Sequence, residues 1–105
     1  MPKISRQQHW EAIVAVSRRM QALARDGQWD EVTALELQRR GEMEAFFARQ
    51  VTADEAAFVT EGIREVMDLD RETMARCASA REEAGKQAGV IHQGRRAEAA
   101  YNSNR

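Results

Sequence analysis

Apolar residues recur at a helical period in three stretches of the chain. Between Ser5 and Arg25, the residues Trp10, Ile13, Val16, Ser17, Met20, Leu23 and Ala24 fall on one side of a helix of about 3.6 residues per turn. Between Trp29 and Arg49, Trp29, Val32, Leu35, Met43, Phe46 and Phe47 do the same. A third run starts near Ala53 and turns Ala56, Val59, Ile63, Val66, Met67, Met74, Cys77 and Ala78 to one side. The breaks have chemical signatures of their own. Asp26-Gly27-Gln28 sets a stop glycine after the first run, and Thr52 and Glu55 stand at capping-box spacing before the third.

The pattern predicts helices over about 5–25, 29–49 and 53–88. Short connections make successive helices antiparallel. The expected fold is therefore all-α, an antiparallel three-helix bundle with a long third helix and a short C-terminal helical tail. The bundle is expected over residues 1–88 and a detachable segment over 89–105. From Arg76 to about Ala88 the third helix outruns the first by roughly 20 Å. Its inward side there holds only Cys77, Ala78, Ala84 and Ala88 with Arg81, a stripe expected to dimerise, meet a partner or receive the tail. From Gly85 to the end of the chain, Gly85, Gly89 and Gly94 each cost a helix about 1 kcal/mol relative to Ala. Val90, Ile91, Ala97 and Tyr101 form a short apolar face before the polar end Asn102 to Arg105.

Composition narrows the picture. A chain of 105 residues makes one domain with one modest core. One Pro, Pro2, and few β-branched or aromatic residues leave no material for a sheet. A net charge of −1, with both signs interspersed, gives no field for nucleic acid or an anionic membrane. The N-terminal stretch after Met1 to Arg6 is interrupted by Glu11, Ser17 and Arg18-Arg19, too broken for a signal peptide or a membrane span, so a cytoplasmic location is expected. The lone Cys77 forms no internal disulfide.

Catalytic and metal chemistry is not expected. His9 and His92 stand far apart in the chain, and neither has the Glu-x-x-His spacing of bundle di-metal sites. The carboxylates Asp68, Asp70 and Glu72 spread to different sides of a helix. No phosphate loop, nucleophile elbow or nucleic-acid motif is present. The reading is no enzyme, no cofactor and no metal.

Two features remain. Arg39 and Asp70 each interrupt an apolar stripe, and burial of either alone is costly. An antiparallel hairpin sets residue 39 level with about 65 or 66, within an arginine's reach of Asp70, so a core ion pair between Arg39 and Asp70 is expected, with Glu36 as competitor. The second feature is surplus apolar surface. Leu37 points off the main stripe of its helix, while Phe58 and Leu69 share a second side of the third helix with Gly62 as a notch between them. Leu37, Phe58, Gly62, Leu69 and the adaptable Met74 make up the expected partner-binding surface, shaped for an incoming amphipathic helix.

The run Gly27-Gln28-Trp29-Asp30-Glu31-Val32-Thr33-Ala34-Leu35-Glu36, followed by Arg39-Arg40 and Phe46-Phe47, resembles the second-helix signature of the FliT family. Ile63 to Asp70 resembles its third helix, and Gly94-Arg95-Arg96-Ala97 ending at Tyr101 its C-terminal pattern. Arg40-Gly41-Glu42 departs from it, standing where the family pattern is usually apolar. The resemblance implies a type III export chaperone that binds the flagellar filament-cap protein FliD, protects it before secretion and brings it to the export ATPase complex. It also implies a C-terminal helix that masks the binding site, the role expected here of Val90, Ile91 and Tyr101. Some members bind the flagellar master transcription regulator. A second reading is a helical structural or regulatory homodimer without a secretion client, paired through the overhang of the third helix.

Overall fold

The computed structural model describes residues 4–103, with side chains described from 4 to 100. Among them the regular structure is helical throughout: α1 spans Arg6–Arg25, α2 Trp29–Phe47 and α3 Ala56–Ser103. The chain divides into two units, Met1–Met74 and Ala75–Arg105.

Local chemistry fixes the ends. Ser5 Oγ accepts the Gln8 N–H at 3.0 Å while Gln8 Oε1 accepts the Ser5 N–H at 3.1 Å, a reciprocal capping box that starts α1. At its other end Gly27 takes φ 71°, Gln28 N–H donates to Leu23 O at 2.9 Å, and Gly27 N–H to Ala24 O at 3.1 Å. This is the Schellman arrangement, and the left-handed backbone at its centre favours glycine. The first turn of α2 then carries Asp30 and Glu31, favourable at the positive end of a helix dipole. Before α3, the Thr52 N–H donates to Glu55 Oε1 at 3.0 Å and the Ala56 N–H to Thr52 O at 3.1 Å. Residues 53–55 form a turn, so α3 begins at Ala56 rather than near Ala53.

Side-chain pairs order the helices within the unit Met1–Met74. Arg6 meets Glu55, Arg18 meets Glu65 and Arg25 meets Glu72, so α1 and α3 advance together. His9 meets Glu42 and Ser17 meets Arg39, so α1 and α2 run in opposite senses. The buried centre follows as three layers, each a step of seven residues along every helix. Trp10, Phe46 and Val59 form the first; Ser17, Arg39 and Val66 the second; Ala24, Val32 and Thr73 the third. The first is aromatic, with Trp10 and Phe46 ring centroids 5.1 Å apart and the Arg6 guanidinium 3.9 Å over the Phe46 ring. Truncating either ring to Ala costs about 3–5 kcal/mol.

One contact decides which side of α3 faces inward. A Cβ placed on Gly62 would lie within 3 Å of three atoms of the Trp10 indole, so only glycine admits this ring. The indole N–H donates to Phe58 O at 3.2 Å. This seating turns Phe58, Gly62, Glu65 and Leu69 toward α1. It also overturns part of the expected stripe: Ile63, Met67 and Met74, read from periodicity as inward, are 40, 52 and 70% exposed.

In the second unit α3 continues without interruption through Gly85, Gly89 and Gly94 to Ser103. Every residue from Arg81 to Ala100 is exposed there, Val90 and Ile91 included. Tyr101 belongs to α3 but its side chain lies outside the described residues, as do Met1 to Lys3, Asn104 and Arg105.

Candidate functional site

The unit Met1–Met74 presents three seams between helices, and their chemistry differs. The seam of α1 with α3 is closed by charge. Arg6 Nε donates to Glu55 Oε2 at 2.9 Å, Arg18 Nε to Glu65 Oε2 at 2.8 Å and Arg25 Nε to Glu72 Oε1 at 3.0 Å; Gln21 also bonds Glu72. The Arg6 hydrogen bond, helped by the Thr52 N–H, lowers the Glu55 carboxyl to about 2. The Arg18 hydrogen bond holds Glu65 below the usual carboxylate range, and Glu65 in turn raises Arg18. The seam of α1 with α2 holds His9 Nε2 at 2.7 Å from Glu42 Oε2, beside an open cleft of about 750 Å³ lined by Ile4, Ala12 and Val16.

Between α2 and α3 lies the polar centre of the core. Arg39 Nη1 donates to Asp70 Oδ1 at 2.7 Å and to Ser17 Oγ at 2.9 Å. Arg39 is nearly buried and Asp70 about one-third exposed, so a wet edge eases the desolvation of the pair. Glu36, the competitor expected from sequence, bonds Arg40 at 3.0 Å instead. On the same side of α3 as Asp70 stand Ile63, Met67 and Met74, at i, i+4 and i+11, all exposed. No ion pair covers them among the described residues.

The structure thus splits the five residues expected to bind a partner. Leu37, 67% exposed, and Met74 stand free, although Leu37 lies on the side of α2 opposite Arg39. Phe58, Gly62 and Leu69 serve internal packing: Phe58 packs on the first-layer cluster, Leu69 is partly buried, and the notch at Gly62 holds Trp10. Correction therefore falls on the notch, because an aromatic ring of the same chain occupies the space read as room for a client helix. The sequence reading also missed Val14 and Thr73 as buried positions. The seven-residue spacing of 59, 66 and 73, matched by 10, 17 and 24 in α1, is the signal that identifies Thr73; Val14 lies off both series.

Among the described residues no group of three or more His, Cys, Asp or Glu side chains is placed to hold a metal ion, and no helix is long and apolar enough to cross a membrane. The chain matches the protein family described as "Flagellar protein FliT" over residues 7–104. No curated protein and no solved structure matches it. With nearly its whole length matched, the chain belongs to the FliT family of flagellar export chaperones.

Proposed function

We propose that this chain is a cytoplasmic type III export chaperone that binds the filament-cap protein FliD, keeps it from assembling early and delivers it to the export ATPase complex. In this reading α1, α2 and the first part of α3 act as an antiparallel bundle whose task is to hold one apolar strip open to a client. The observation that carries it is the exposure of Ile63, Met67 and Met74 along one side of α3, beside a core pair that anchors α2 to α3. A strip at that spacing suits the apolar face of an amphipathic helix, and methionine adapts to its shape. The segment 89–105 is the detachable cover, with Val90, Ile91 and Tyr101 as its apolar contacts. Binding of a flagellar transcription regulator belongs to the same reading as a second use of a protein-binding surface.

Calorimetric titration with a peptide of the FliD C-terminal segment tests the client. Saturable one-to-one binding is expected, and deletion of 89–105 is expected to tighten it about tenfold, the effect of removing about 1.4 kcal/mol of masking. Absence of binding contradicts the client. Unchanged affinity in the truncated chain contradicts the cover, and weaker affinity makes the tail part of the site.

A further inference from the structure

Four side chains follow one another along the open side of α3 at i, i+4, i+7 and i+11: Ile63, Met67, Asp70 and Met74. Three are apolar and exposed, and between Met67 and Met74 stands a carboxylate whose side chain is 31% exposed. Asp70 uses only part of its hydrogen-bonding capacity inside the protein. Its Oδ1 accepts from Arg39 Nη1 at 2.7 Å, and the same nitrogen donates to Ser17 Oγ at 2.9 Å. Asp70 Oδ2 and Arg39 Nε and Nη2 have no hydrogen-bond partner among the described residues. These three atoms are not sealed, since among the described residues the buried polar side-chain atom without a partner is Thr73 Oγ1. The free protein leaves them to water, and a helix laid along Ile63, Met67 and Met74 strips that water away.

We infer that the client helix carries one side-chain amide, Asn or Gln, within its apolar face and sets it opposite Asp70. Charge decides the chemistry. Arg39 and Asp70 together are neutral, so a client cation is attracted by one and repelled by the other, and a client carboxylate likewise. An aliphatic side chain at this place buries Asp70 Oδ2 without a partner, which is costly. An amide suits both members of the pair, its NH2 group donating to Asp70 Oδ2 and its oxygen accepting from Arg39. The apolar residues on either side of Asp70 supply contact area, and the amide fixes register, because a client shifted by one turn sets an apolar side chain against the carboxylate. The inference rests on the client reading above and adds the residue that selects the client and the group the client supplies.

A double-mutant cycle tests it by calorimetry, using the full chain and the FliD C-terminal peptide. Asp70→Asn keeps the shape and an acceptor for Arg39 but puts a donor where the free oxygen stood, so it should weaken peptide binding about tenfold. In the peptide each Asn, Gln, Lys and Arg is replaced in turn by Leu. Replacing one Asn or Gln should weaken binding to the unsubstituted chain about tenfold and weaken it little further in Asp70→Asn, a coupling that a purely structural role of Asp70 does not produce. If Asp70→Asn does not fold, Arg39→Lys, which keeps the charge but withdraws the guanidinium donors, takes its place in the cycle with the same expectation. Coupling to a Lys or Arg of the peptide, or to none of the replaced residues, overturns the inference and leaves the client reading standing. A peptide that fails to bind the unsubstituted chain overturns both.

Discussion

At the scale of residues, the polar centre and the α1 to α3 seam both contribute to stability, the first through burial and the second through pH. Arg39 satisfies Asp70 and the fully buried Ser17 hydroxyl together. Arg39→Met leaves both without a donor, and a loss of about 1–3 kcal/mol is expected by urea denaturation. Combining it with Asp70→Leu should recover most of that loss, since a buried pair replaced whole by apolar groups is often neutral. A double substitution no more stable than Arg39→Met alone would show that Ser17, not the ion pair, carries the effect. Glu55 acts through pH. Its carboxyl titrates near 2 against an ordinary value of 4.5, so the unfolded chain binds the proton more readily across that interval. The stabilisation it gives is complete above about pH 4.5 and disappears as pH falls toward 2. Thermal melts of Glu55→Gln should therefore lie below those of the unsubstituted chain at neutral pH and converge with them in acid. The proximity of Arg39 and Asp70 was readable in the sequence, because a charge inside an apolar stripe needs a partner within one turn. The seating of Trp10 on Gly62 was not, because periodicity says which side a residue occupies and not which ring fills a gap.

At the scale of elements, the same residue type has opposite effects in different parts of α3. Ala at a helical glycine normally stabilises by about 1 kcal/mol. Gly62→Ala is expected to destabilise instead, by about 1–3 kcal/mol, because the added methyl collides with the Trp10 indole in the first layer. Gly85→Ala meets open space, and circular dichroism should show a helix that melts later. An equal stabilisation at both positions would mean that Trp10 moves aside without cost. The Thr52 and Glu55 spacing marked the approach to α3 but not its start, which falls at Ala56 rather than near Ala53, whereas the Gly27 stop was legible from sequence. The rotation of α3 was not: a 3.6-residue reading put Ile63, Met67 and Met74 in the core, while the packed helices follow a seven-residue step through Val59, Val66 and Thr73. Over two or three turns the two periods differ by a fraction of a residue, and close contact at Gly62 decided between them.

At the scale of the larger unit, Met1–Met74, three amphipathic stripes pack on one another and leave Ile63, Met67 and Met74 exposed along one side of α3. That three helices form and no strand appears among the described residues was written in the spacing of apolar positions. That surplus apolar surface exists was also legible, and Leu37 and Met74 are exposed as expected, but the Trp10 contact takes Phe58, Gly62 and Leu69 into internal packing and leaves Ile63 and Met67 exposed instead. In the proposed function this exposed strip serves binding and not folding. Met67→Gln combined with Met74→Gln tests it in one experiment, calorimetric affinity for the FliD C-terminal peptide measured beside the thermal melt. Affinity at least tenfold weaker is expected, with a melting temperature within a degree or two of the unsubstituted chain. Unchanged affinity, or a large drop in melting temperature that accounts for the loss of binding, would contradict it.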